Sequence, residues 1–383
     1  MSEEFDKNTQ ENTISPAQYT YDADAEANAA DDPVIRRRKI KSGYNWAGGS
    51  VLIQTVIVFI VSVVVQIAFM PAFMKKYFEG VDMASLTQEK IMEATLAMAT
   101  DGRYLILINS ISYLIGNVAA FFIGVCALKA FKARDIFGRP RLGAGQIALG
   151  ALGILGVQGL SYFIQVLISS FTGISGMSES TVNTMAFNDD MVKTAVTLFY
   201  FIIIAPVTEE LLFRGVVLNA LSPVDRIFGL VATSLLFGLM HGNFNQMFNG
   251  FLLGLLLGYI ALKSGSVVPS IIVHMIANAN AMFCSYFYEY KLAASQGMET
   301  AGMAEMIHFG VLLVLGIVGA VILLKKNGKI TSEDTIVPSY SFELEPEECA
   351  KLKWKQLVKS PTFWIVTAVY VIMAISMVSQ TGA

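Results

Sequence analysis

The segment VLIQTVIVFIVSVVVQIAF, Val51–Phe69, decides the fold class of this chain. It carries no charge, and its apolar residues surround a helix rather than forming one stripe, so such a helix has no face for water. A membrane crossing takes roughly 20 apolar residues to span ~30 Å of hydrocarbon, and this segment approaches that length. Ile147–Ile168 and Phe309–Leu324 repeat the pattern. Composition agrees. Of 383 residues, 15% are charged and 54% hydrophobic, with a mean hydropathy of +0.57; a soluble domain averages about 25% charged. The expected fold is all-α, a polytopic transmembrane helix bundle of about eight to nine spans with a disordered N-terminal tail.

Working outward from Val51, apolar segments fall near 46–70, 104–128, 145–170, 192–212, 227–242, 247–262, 267–284, 309–325 and 362–379. Residues 1–35 are rich in Asp, Glu, Asn, Thr and Ala and bury too little apolar surface to offset their ordering entropy; no cleavable signal peptide is expected there. A basic cluster follows, Arg36 to Lys39 and Lys41. The expected division is a cytoplasmic tail over 1–43, N-terminal spans over 44–190, a central core over 191–285, and C-terminal spans over 286–383 with a cytoplasmic loop at 326–361. With the N-terminus inside, 21 of the 27 Lys and Arg fall in inside segments, as the positive-inside rule requires. Cys126, Cys284 and Cys349 have no metal-binding or disulfide spacing.

Two central segments are short. Residues 227–240 suit a re-entrant or buried helix as well as a crossing. The stretch His241-Gly242-Asn243-Phe244-Asn245-Gln246, with Asn249 after it, must face protein or water at membrane depth.

Ionisable residues inside spans each cost on the order of 3 kcal/mol or more, which makes them informative. Of three histidines, His241 and His274 lie in apolar segments, and Glu209-Glu210 ends another. On a helix, Glu210 and Arg214 are at i and i+4 and form an ion pair. Glu209 is rotated by about 100° and is expected to point into a wet interior. Phe237 and His241, and His274 and Asn278, repeat the i,i+4 spacing. Singly, a histidine in such a helix also reads as a hydrogen-bonded bridge between helices. Together the residues suit hydrolysis: a carboxylate base and a histidine share a water, and a second histidine with an amide donates to an oxyanion. Glu209, His241 and His274 can equally hold a zinc ion that activates the water. The sequence leaves both open.

At these positions the chain resembles the CPBP intramembrane protease family, also called the Abi or CAAX-protease type. Glu209-Glu210-Leu211-Leu212-Phe213-Arg214 matches EExxxR, Phe237-Gly238-Leu239-Met240-His241 matches FxxxH, and His274-Met275-Ile276-Ala277-Asn278 matches HxxxN. The resemblance covers about residues 190–285. It implies an intramembrane endopeptidase in which Glu209 and His241 activate water while His274 and Asn278 stabilise the oxyanion. Glu210, Arg214 and Phe237 would support them. Metalloprotease and metal-independent glutamate mechanisms both remain consistent, so no cofactor is certain and zinc is one option. The resemblance further implies a peptide or membrane-protein substrate, the lipid bilayer as surroundings, no nucleic acid, and a bacterial cell membrane, with bacteriocin processing among the family's roles. A non-proteolytic immunity or partner-binding protein on the same fold is the alternative. A transporter is disfavoured by the absence of paired broken helices in two related halves.

Overall fold

The computed structural model describes residues 33–79, 86–172, 187, 190–338, 342 and 344–381, and every long element among them is helical. The expected disordered tail lies, for residues 1–32, outside the described residues. Helix α1, Pro33–Tyr77, begins ahead of the expected boundary, so residues 33–43 belong to a helix rather than to the tail. Proline suits a first helical position, where no N–H is needed. The basic cluster is also partnered: Arg36 and Arg37 each lie 3.6 Å from Glu348.

Helix α2, Gln88–Thr100, occupies a stretch the sequence reading left as a connection, and Thr87 caps it by accepting the Lys90 N–H. Asp101 then caps α3, Gly102–Leu128, through the Arg103 and Tyr104 N–H groups. The remaining helices are α4, Ala144–Thr172; α5, Met191–Leu221; α6, Arg226–Leu239; α7, Phe244–Ser264; α8, Val268–Gln296; α9, Met298–Asn327; α10, Pro346–Val358; and α11, Pro361–Thr381.

Among the described residues, seven helices are long and apolar enough to cross a membrane, and the α10–α11 pair, bent by 59°, makes an eighth if taken as one span. Of the nine segments expected, 227–242 fails the test because α6 has 14 residues, about 21 Å of helix. Its start is set by the Asp225 cap, and its chain reverses at Gly242, whose φ of +64° suits a residue without a side chain. The region 326–361 is not merely a loop, since α10 forms inside it.

Close backbone approach holds the spans together where no hydrophobic driving force exists between them. A Cβ on Gly250 of α7 would stand 3.1 Å from Gly238 Cα of α6, and one on Gly254 would stand 2.9 Å from Ser234 Cα. The same device joins α4 to α9, where a Cβ on Gly156 would lie 2.5 Å from Gly316 Cα.

One end of the bundle is tied by polar contacts. Arg141 donates to the carbonyls of Leu262 and Thr335, and Lys263 pairs with Asp334 at 2.7 Å. Arg226 donates to the Ser332 carbonyl, and Lys353 pairs with Asp225. The strap between α9 and α10 thereby closes over the loops at 129–143, 222–226 and 262–267. Ile336 and Val337 of the strap are buried in a cluster with Phe131, Ile136 and Val267.

Candidate active site

Helix α5 carries the first motif between two widened turns. Residues Tyr200–Ile204 and Phe213–Leu218 are π-helical, and Ala205–Leu212 between them is α-helical. Pro206 lacks an N–H and crowds the preceding turn, directly after the first widened stretch. Such stretches free backbone carbonyls for other donors. Asn278 Nδ2 donates to the Phe201 carbonyl at 2.7 Å, and Asn219 Nδ2 donates to the Arg214 and Gly215 carbonyls, each at 3.0 Å.

The two glutamates have different surroundings. Glu210 is fully buried, and its Oε1 accepts from Arg214 Nη1 at 2.7 Å. The same oxygen lies 3.0 Å from His274 Nδ1. Arg214 also donates to the Gly254 carbonyl at 3.2 Å. Glu209 retains 13% side-chain exposure, and its Oε2 lies 3.8 Å from His274 Nε2. The neighbouring Thr208 hydroxyl accepts from Asn117 Nδ2 of α3 at 3.1 Å.

The three motifs meet around one phenyl ring. Arg214 lies over the Phe237 ring with its guanidinium carbon 4.5 Å from the centroid. His241 and His274 stand edge to face with the same ring at 5.5 Å and 5.8 Å. The imidazole of His241 has its Nδ1 3.0 Å from the Phe237 carbonyl. A carbonyl only accepts, so His241 carries its proton on Nδ1 and offers a lone pair at Nε2. By the same logic a Glu210 carboxylate draws a proton to His274 Nδ1, which leaves Nε2 toward Glu209.

Ending the fourth span at 212 places Glu209 near one membrane face and His241 toward the other. Helix α5 instead continues to Leu221, so Glu209 lies well inside the span. The continuation through Arg214 is tolerable because that guanidinium is paired and buried. Short α6 then delivers Phe237 and His241 to the same depth.

Glu209 and His274 are adjacent, but among the described residues no three His, Cys, Asp or Glu side chains form a group able to hold a metal ion. Glu210 engages His274 at Nδ1 and leaves Nε2 facing Glu209. Glu209, His241 and His274, the suggested zinc set, do not form such a group in this arrangement. Cys126, Cys284 and Cys349 are free thiols. Sequence reasoning missed Asn117 and the Phe201 and Gly254 carbonyls. Asn117 was detectable as an amide inside an apolar span; the carbonyls had no signal in residue type.

A helical membrane bundle with a buried glutamate–histidine cluster defines the class. Within it, residues 191–280 match the family model of the type II CAAX prenyl endopeptidases, Rce1-like, the same family type that the three motifs resemble. The matched segment contains every motif residue from Glu209 to Asn278. An uncharacterized 24.3 kDa protein of Escherichia coli is 33% identical over 94 residues, which make up 23% of this chain and 42% of that protein. The chain thus spans under half the length of this curated relative. No solved structure matches it.

Proposed function

We propose that this protein is an intramembrane endopeptidase that hydrolyses a peptide bond in or beside the bilayer with a water activated by Glu209 and His241. The observation that carries this reading is the meeting of Arg214, His241 and His274 on the Phe237 ring, with Glu209 Oε2 3.8 Å from His274 Nε2. Glu209 and the bare Nε2 of His241 each accept one hydrogen of the water, which leaves an oxygen lone pair for the scissile carbonyl. Glu209 takes the proton as the C–O bond forms, and returns it to the departing amine as the C–N bond breaks.

His274 and Asn278 serve the oxyanion. With Nδ1–H held by Glu210, His274 donates from Nε2 only as the imidazolium. Asn278 spends one amide proton on the Phe201 carbonyl and keeps the other. Removing one such donor typically costs 10²–10³ in kcat. Glu210, Arg214 and Phe237 hold these groups in place.

The end closed by the strap is proposed to face the cytoplasm, because it gathers the basic segments at 36–41, 129–141 and 351–359. The substrate is a peptide or membrane protein reaching the site from the bilayer. The deciding experiment offers a panel of fluorogenic peptides to the purified protein in nanodiscs, comparing wild type, Glu209→Ala and His274→Ala with and without chelator. Cleavage by wild type alone supports the peptidase. If no peptide is cut, or the variants cut as well as wild type, the partner-binding alternative takes its place.

A further inference from the structure

A second polar chain reaches the motif helix from outside the matched segment. Gln158 of α4 is buried, and its Nε2 donates to the Ala277 carbonyl at 2.9 Å. Asn280 Nδ2 donates to Gln158 Oε1 at 3.1 Å. His308 Nε2 of α9 lies 3.0 Å from Asn280 Oδ1. The backbone carbonyl fixes the polarity of the whole chain, because it can only accept. It orients the Gln158 amide, whose oxygen orients Asn280, whose oxygen in turn requires a proton on His308 Nε2. The donors therefore run in one sense, from His308 through Asn280 and Gln158 to the Ala277 carbonyl of α8. The His308 ring is held by Phe283, Tyr288 and Phe309 at centroid distances of 5.9, 5.6 and 5.4 Å.

The end point of the chain is what gives it meaning. Ala277 lies between His274 and Asn278, so a donor on its carbonyl fixes the rotation of α8 against α4. That rotation decides whether His274 meets Glu210 at 3.0 Å and Asn278 meets the Phe201 carbonyl at 2.7 Å. Gln158 and His308 lie outside residues 191–280, so the flanking spans supply this support.

We propose that His308, Asn280 and Gln158 are positioning residues that hold His274 and Asn278 in register with Glu209 and Glu210. This rests on the peptidase reading of that site. The alternative is that the chain only fastens α4, α8 and α9 together.

Two measurements on the full-length protein in nanodiscs decide it. The first compares His308→Phe, which suits the aromatic surroundings but cannot donate, with His308→Gln, whose amide nitrogen replaces Nε2. His308→Phe and Gln158→Leu are expected to lower kcat about tenfold or more with KM unchanged, as small displacements of catalytic groups do, while His308→Gln retains near wild-type kcat and thermal unfolding is alike in all three. Wild-type kcat in His308→Phe, or equal impairment in His308→Gln, overturns the proposal. The second measurement is independent of turnover. The chain has three histidines, so 15N-histidine NMR resolves each imidazole. His308 is expected as the Nε2–H tautomer, and the His274 signals should shift in both Gln158→Leu and His308→Phe. Unmoved His274 signals overturn the positioning role. If the wild type cuts no peptide, the peptidase reading falls and this second measurement alone judges the relay.

Discussion

His274 places its Nδ1 3.0 Å from Glu210 Oε1, the oxygen that also accepts from Arg214 at 2.7 Å. Two adjacent glutamates are thereby divided: Glu210 is consumed in orienting an imidazole and neutralising an arginine, and Glu209 keeps a partly exposed carboxyl 3.8 Å from His274 Nε2. The division follows from the 100° turn between consecutive helical residues.

Exchanging each glutamate for glutamine separates these tasks. Glu210→Gln leaves Arg214 buried without a counter-charge, a change that typically costs about 3–5 kcal/mol, and should lower the unfolding temperature in detergent clearly. Glu209→Gln should leave unfolding nearly unchanged and reduce peptide cleavage about 10²-fold or more. Equal unfolding temperatures for the two variants would contradict the division.

On the peptidase reading, Asn278→Leu removes a donor proposed for the oxyanion, and it takes a partner from the Phe201 carbonyl. Its kcat should fall about 10²–10³-fold with KM little changed. A rise in KM at constant kcat would instead make Asn278 a substrate-binding residue.

Gly250 and Gly254 both sit where α7 touches α6, but only Gly250 faces the imidazole. A Cβ there would stand 3.3 Å from the His241 ring, whereas one on Gly254 meets Ser234. Gly250→Ala and Gly254→Ala should each destabilise by about 1–3 kcal/mol through overpacking. The activity per folded molecule should drop more for Gly250→Ala, which initial rates normalised to folded protein will show.

The strap should open in acid. Burial alone would raise the Asp334 carboxyl, but Lys263 and the Thr331 N–H outweigh it and hold Asp334 below the usual carboxylate range. Burial would likewise raise Asp225, where Lys353 and the Phe228 N–H prevail and lower it. Because both folded values lie below the unfolded ones, their stabilisation is present above about pH 4 and is lost as pH falls through the folded values. Trp354 packs edge-on against Phe228 at 5.0 Å. In a variant carrying Trp46→Phe and Trp364→Phe, Trp354 emission should hold steady from pH 7 to 5 and shift red below about 4. A shift between pH 7 and 5 would refute the assignment.

Residue chemistry alone determined that the chain is a helical membrane bundle, because no water-soluble fold can hide Val51–Phe69 and its counterparts. It also singled out the Glu209–Glu210, His241 and His274 positions, since ionisable groups at that depth are too costly to be incidental. Helical spacing was enough to pair Glu210 with Arg214 and to set Phe237 beside His241. The sequence could not reveal that Arg214 lies inside α5 rather than beyond its end, because a guanidinium at that depth needs its remaining donors satisfied as well as its charge paired, and one acceptor, the Gly254 carbonyl, comes from α7. Nor could it show that α6 stops short, that widened turns free the Phe201 carbonyl for Asn278, or that Ser332, Asp334 and Thr335 tie one end of the bundle. Those outcomes depend on donors and acceptors brought together from distant parts of the chain, and only the packed bundle decides which of them meet.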